Sequence, residues 1–414
     1  MTTVDSATRV KLCQICASDK LRMILDLGPN PACIFLTEQD IQTHSERWWP
    51  LEIWYCESCG LVQSRYVVDP KILFGGEYHH ISGIPDTFRK HLEDLASSLV
   101  IRFHLSSNDL VIDVGSSDGA LLERLMPHHV KVLGVDPSSV ARMAIEKGIP
   151  TINEFFDQEE ATRILDQYGN AKVITALNTF AHVAGLDSLM RGVKLLLDEA
   201  GVFVTESQHV LELITKLQYD FIYHEHLRYY SLKALIHLFN RYEMEVFDVE
   251  RIPTHGGSIR VYACKAGAYP VSDSISTMLD MERNAGLTAF SAYEEFAKRV
   301  RVHRSELTNL LISIKSTGKT ICGITYPARA ITLLAYCQIG PEVLDYVTEK
   351  SPLKIGKYTP GTHIKIVDES KLFEGQPDYG LLLSWHLTEE LVSKFRARGF
   401  RGKFIIPLPK PVIV

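Results

Sequence analysis

Long apolar runs are missing from this sequence. No stretch approaches the roughly 20 residues that a membrane-spanning helix needs. An excess of one charge is also missing. With 44 Lys and Arg against 50 Asp and Glu the formal net charge is -6, so nucleic acid and anionic membranes are poor candidate partners. No signal pattern precedes "MTTVDSATRVKLCQIC", and a cytoplasmic protein is expected. There is no internal repeat, no low-complexity segment, no Gly-x-Gly-x-x-Gly and no His-Glu-x-x-His. These absences argue against a membrane protein, a repeat array, a dinucleotide fingerprint and a helical zinc-protease site.

What is there points to an ordinary globular chain with specialised stretches. At 414 residues, 46% hydrophobic and 23% charged, it is too long for one core, and two to three domains are expected. Of eight cysteines, four form two Cys-x-x-Cys pairs, Cys13 with Cys16 and Cys56 with Cys59. Without an export signal disulfides are not expected, and neither pair sits in the βαβ context of a redox motif. Four thiolates make the tetrahedral set of a structural zinc site with no open position. Cys264, Cys322 and Cys337 lie in apolar runs and read as small buried hydrophobes.

The stretch "DLVIDVGSSDGALLERLM" runs from an apolar strand through a glycine turn into an amphipathic helix. Gly115 and Gly119 let backbone approach a ligand ahead of a helix N-terminus. A second strand ends at Asp136, whose carboxylate suits a ribose diol, and a third is followed by Asn178 and His182. This alternation predicts a doubly wound parallel sheet with a nucleoside-type cofactor at its carboxyl edge. Further on, "YDFIYHEHLRYY" concentrates Tyr223, His224, Glu225 and His226. A second metal site there lacks the i, i+4 spacing and an obvious third ligand. Residues 281–317 form a charged amphipathic pattern, and "KTICGITYPARAITLLAYC" opens a second, smaller α/β unit.

In this order, the two cysteine pairs, "LGPNPACIFL", "DVGSSDG", "NTFAHV", "YHEHLRYYS", "GGSIRVY" and "PGTHIKI" resemble the S-adenosylmethionine (SAM)-dependent ketosugar C-methyltransferases of bacterial deoxysugar biosynthesis. Those enzymes act on nucleotide-linked 4-ketohexoses. The resemblance spans nearly the whole chain and implies an α/β protein of three parts. These are a zinc-binding domain over 1–70, a class I (Rossmann-like) SAM methyltransferase domain over 71–280, and, after a connecting helix over 281–317, a Rossmann-like substrate-binding domain over 318–414. It implies SAM contacts from Asp113, Gly115, Asp118, Gly119, Asp136 and Asn178, with Phe155 or Phe156 near the adenine. It assigns Tyr223, Glu225, His226 and His182 to catalysis. Tyr78, Ser82, Arg260, Tyr326 and Arg329 are the candidates for substrate binding. Departures from the family occur at "TYPARA" (Thr325, Tyr326, Arg329, Ala330), at His386 and at Cys33, where asparagine is usual for the last two.

Methylating carbon requires a carbanion equivalent, and the accessible proton is the one beside a ketone. The site then needs a base and a donor aimed at the enolate oxygen. His226 is expected as base or enolate stabiliser, with Glu225 as its partner or as an alternative base. Tyr223 and His182 are the expected donors to substrate oxygens. Arg260 suits either a substrate anion or an internal ion pair. Two other readings are a SAM enzyme with a different small acceptor and a non-catalytic zinc-knuckle module. Nothing in the sequence fixes an oligomeric state.

Overall fold

Between residues 110 and 208, short runs of apolar and β-branched residues alternate with helical segments, and each run is a strand of one sheet. The computed structural model describes residues 6–74 and 86–414; Tyr78 and Ser82 lie outside the described residues. The sheet has seven strands in the order Met244–Ile252, Ser258–Lys265, Leu197–Gln208, Ala171–Leu177, Leu110–Val114, Lys131–Val135, Thr151–Ile152. The five strands from Leu110 to Gln208 run parallel, and Ser258–Lys265 inserts antiparallel. The chain starts at Leu110–Val114, moves outward to one side, then returns to build the other. That reversal creates a crevice at the carboxyl ends of Leu110–Val114 and Ala171–Leu177. Gly115 and Asn178 follow those two strands directly.

The N-terminal sheet is antiparallel, and Trp48–Cys56 alternates buried and half-buried residues along its length. Its fourth strand comes from far away: Arg228–Tyr229 pairs with Val62–Ser64, Arg228 opposite Gln63 and Tyr229 opposite Val62. The sheet is therefore completed by residues just after "YHEH". Cys13, Cys56 and Cys59 share a hydrophobic cluster with Phe180, Tyr230 and Leu232. So small a sheet does not bury a core alone, and it borrows one from its neighbour.

The C-terminal sheet has the order Ile366–Asp368, Val347–Glu349, Ile321–Ile324, Tyr379–Leu382, Lys403–Ile406, Val412–Ile413, parallel except for the last strand. The predicted helix over 281–317 is divided. One helix, Ser274–Asn284, ends before Gly286 (φ 78°), and a second runs Phe290–Ser316. A left-handed glycine ends the first helix, a common way for helices to stop. Among the described residues no helix is long and apolar enough to cross a membrane.

Candidate active site

The zinc ligands assemble first. The four Sγ atoms of Cys13, Cys16, Cys56 and Cys59 lie within 4.8 Å of one another, with the Cys13–Cys59 and Cys16–Cys56 pairs at 3.5 Å. Zinc–thiolate bonds of about 2.3 Å require tetrahedral sulfur separations near 3.8 Å, so the set fits one ion. Among the described residues this is the one such ligand group. "HEH" forms no metal cluster.

The residues expected to cradle SAM meet at the crevice. Gly115 and Gly119 have φ of 77° and 76°, a region that favours glycine. A Cβ at Gly115 would lie 2.1 Å from Thr179 Oγ1. Around this turn Ser116 Oγ, Ser117 Oγ, Asp118 Oδ1 and Asn178 Nδ2 are buried without hydrogen-bond partners. Buried polar atoms are normally paired, so this group fits a polar ligand that completes them. Asp113 lies beneath the turn, accepting from Thr175 Oγ1 at 2.6 Å, and burial pushes its carboxyl up to about 7. Asp136 accepts from Ser117 N and Ser138 N at 2.8 Å and from Ser138 Oγ at 2.5 Å. Much of its acceptor capacity thus ties two loops together. Phe155 is exposed, whereas Phe156 belongs to the core, so only Phe155 is open to a ligand.

Beside the cradle the two expected catalytic histidines meet. His182, four residues after Asn178, stands 4.7 Å from His226 by ring centroids. Tyr223 lies 4.1 Å and Phe221 4.5 Å from the same imidazole. His226 Nδ1 donates to Phe221 O at 3.0 Å. Since a carbonyl only accepts, Nδ1 carries the proton and Nε2 keeps a lone pair. Burial first, then the neighbouring His182, His255 and Arg329, hold His226 well below the usual histidine range, in its neutral form. Burial and the charge of Glu225 push the Tyr223 phenol well above its ordinary value, so it stays protonated. Glu225 is buried and acts on Tyr223 and Cys33, while His226 Nδ1 bonds the Phe221 carbonyl. His224 Nε2 bonds Asn30 O at 2.9 Å, and the ring packs edge-on to Trp49, a structural role.

Two of the expected substrate contacts, Arg260 and Arg329, are paired within the protein, and a third, Tyr326, is buried with its hydroxyl unpartnered. Arg260 pairs with Glu206 at 2.6 Å and Glu250 at 3.0 Å, the internal ion pair rather than a free anion site. Arg329 clamps Asp220 through Nε at 2.6 Å and a terminal nitrogen at 2.9 Å. Tyr326 is fully buried, its ring 5.7 Å from Phe35. Sequence reasoning missed Asp220, which also accepts from Trp385 Nε1 at 2.8 Å, and His255, whose ring lies tilted 5.3 Å from that of Phe88. Asp220 stood inside the quoted tyrosine-rich stretch. The "THGG" run was the available signal for His255, since three consecutive positive φ values, 56°, 91° and 126°, fold it inward from the loop.

Three family models match in order. A zinc-binding-domain model covers residues 13–74, a methyltransferase-domain model 88–249, and a C-methyltransferase C-terminal-domain model 253–409. The chain is 32% identical to "C-methyltransferase NovU" of Streptomyces niveus over 99% of its own length and 98% of that protein. Among solved structures, magnesium protoporphyrin IX methyltransferase of Synechocystis PCC 6803 with bound SAH is 16% identical over 45% of this chain and 91% of that one, TM-score 0.35. The PH0226 protein of Pyrococcus horikoshii OT3 is 14% identical over 47% and 98%, TM-score 0.35.

Proposed function

The chain belongs to the SAM-dependent C-methyltransferase family, and on that premise we propose that it methylates a carbon beside a ketone, most fittingly in a nucleotide-linked 4-ketohexose at C3. The observation that carries the reaction is the buried, neutral His226, its Nδ1 tied to Phe221 O, beside His182 on the loop that follows the SAM cradle. The relative's name supports C-methylation. The ketosugar acceptor rests on the motif resemblance.

The Gly115–Gly119 turn and the unpartnered groups around it would hold SAM, which would supply an electrophilic methyl on a cationic sulfur. His226 Nε2 takes the proton from the carbon beside the ketone. The C–H electron pair moves into the enolate, whose oxygen charge needs a donor. Tyr223 stays protonated and provides that donor. Deep burial keeps His226 a free base at neutral pH, and the forming enolate then offsets the charge of its imidazolium. His182 stands against the same ring as a second donor to substrate oxygen. His226 is buried while His182 and Tyr223 are half-buried, and burial of the base strengthens its interactions with the forming charge.

His226→Asn tests the role. Turnover is expected to fall by about 10²–10⁴-fold, with SAM affinity by calorimetry within about threefold. In deuterated water the exchange of the acceptor's α-proton should disappear as well. Full turnover by this variant rules His226 out as base. Labelled SAM against a panel of nucleotide-linked ketohexoses and keto acids tests the acceptor, and transfer to keto acids alone defeats the sugar assignment.

A further inference from the structure

Arg228 is among the largest fully buried side chains in the protein, at 2% exposure. Among the described residues no carboxylate forms an ion pair with it. A buried guanidinium without a counter-charge is costly to desolvate, so its retention calls for a use. Its hydrogen bonds go to two backbone carbonyls, Val183 O at 2.7 Å and Ala184 O at 3.5 Å, its charge also acts on the neighbouring Tyr230 hydroxyl, and its Nε has no partner. Those carbonyls follow His182 directly. The neighbouring Leu227 N donates to Ala181 O at 3.0 Å, just before His182. The loop carrying His182 is therefore gripped on both sides by the two residues that follow His226.

The other edge of the same segment is tied to the cysteine knuckle. Ser64 N donates to Leu227 O at 2.9 Å, and Arg228 pairs with Gln63 across the sheet. Gln63 Oε1 in turn accepts from Gln14 N at 2.8 Å, inside the Cys13–Cys16 knuckle, and its Nε2 reaches Leu12 O at 3.3 Å. A continuous hydrogen-bonded path thus runs from the zinc-binding knuckle through Gln63 and Leu227–Arg228 to the His182 loop. We propose that Arg228 is a positioning residue that fixes the His182 loop against His226 and links that geometry to the zinc-bound sheet. The planar guanidinium suits the task because it reaches two carbonyls from one rigid fork. The idea rests on the proposed catalytic role of the histidine pair, and the test separates the two.

Arg228→Met keeps most of the side-chain length and removes the fork. In the zinc-loaded, full-length protein we expect one zinc per chain, SAM affinity within threefold, and kcat reduced about 100-fold with little change in KM. Proton NMR titration of the histidine ring signals should show the His182 and His226 resonances moving, because their separation is no longer fixed. Each signal is assigned by its absence in His182→Asn or His226→Asn. Arg228→Lys retains the charge on a single nitrogen without the planar fork and should recover part of kcat. If Arg228→Met does not fold, Arg228→Lys decides alone: histidine signals and kcat equal to those of the parent overturn the proposal. Unchanged histidine titrations in Arg228→Met overturn it too, as does loss of SAM affinity in step with kcat. Shifted histidine signals with full turnover uphold the positioning role and count against the catalytic reading of the pair.

Discussion

The chain makes the same strand–turn–helix unit twice, and only one of the two is open. Leu110–Val114 runs into the Gly115–Gly119 turn and the helix Ala120–Leu125. Ile321–Ile324 runs into Thr325–Arg329 and the helix Ala330–Cys337. Each strand lies where its sheet reverses direction, between Lys131–Val135 and Ala171–Leu177 in one and between Val347–Glu349 and Tyr379–Leu382 in the other. The first turn has glycine at both ends and unpartnered polar atoms around it. The second is filled by its own side chains. Thr325 Oγ1 bonds Ser384 Oγ at 2.7 Å, Tyr326 is fully buried with its hydroxyl unpartnered, and Arg329 is locked to Asp220, so the side chains leave no room there. Topology sets where a ligand can lie, and the turn's side chains decide whether there is room. The second unit instead holds the proposed catalytic segment in place, since Asp220 stands three residues before Tyr223.

Two substitutions break the comparison from either side, the larger effect falling on the closed turn. Arg329→Met leaves Asp220, at 0% exposure, without its guanidinium counter-charge and, among the described residues, with the Trp385 indole N–H as its remaining side-chain hydrogen-bond donor. Losing one partner of a buried ion pair should cost about 3–5 kcal/mol, read as a lower urea midpoint. A loss under about 1 kcal/mol would mean that the clamp is not what closes this turn. Gly115→Val acts on the open turn, putting a branched carbon 2.1 Å from Thr179 Oγ1 at a φ of 77°. SAM affinity should weaken by about 100-fold, or about 2.7 kcal/mol, while one zinc per chain is retained. Affinity within threefold would place the cradle elsewhere.

The difference between the two turns was only half legible in the sequence. "DVGSSDG" announces an open turn because glycine spacing has a local cause, the positive φ values. "TYPARA" looked like altered substrate contacts because what Arg329 meets, Asp220, lies 109 positions earlier. The cysteine set was legible for the local reason that thiolate pairs imply one ion. The strand that the tyrosine-rich stretch lends to the zinc sheet was not, since two residues of pairing carry no periodic signal. Arg260 shows the same limit. Its partners Glu206 and Glu250 sit on two other strands, and only the register brings them together.

The smallest expected effect sharpens the comparison at one strand position. Asp113 is two residues before Gly115, and its counterpart before Thr325 is Gly323, so only the open unit carries a carboxylate there. Burial raises Asp113 from 3.8 to about 7, against a lowering by the Thr175 hydroxyl. Because its folded value lies above its unfolded one, the folded state keeps this proton over a range where the unfolded chain has lost it. The stability from that proton is fully present below about pH 4 and is lost as pH rises toward 7. Asp113→Asn removes the charge, and its amide oxygen can still accept from Thr175. The SAM-free variant should match the parent near pH 4 and exceed it above pH 7. Relaxation around the carboxylate reduces the gain to an expected value on the order of 1–2 kcal/mol. Urea unfolding of both proteins from pH 4 to 8 gives the difference curve. A flat curve would show that Asp113 is ionised in the fold at no cost, and the open turn would then differ from the closed one only in its glycines and the space they leave.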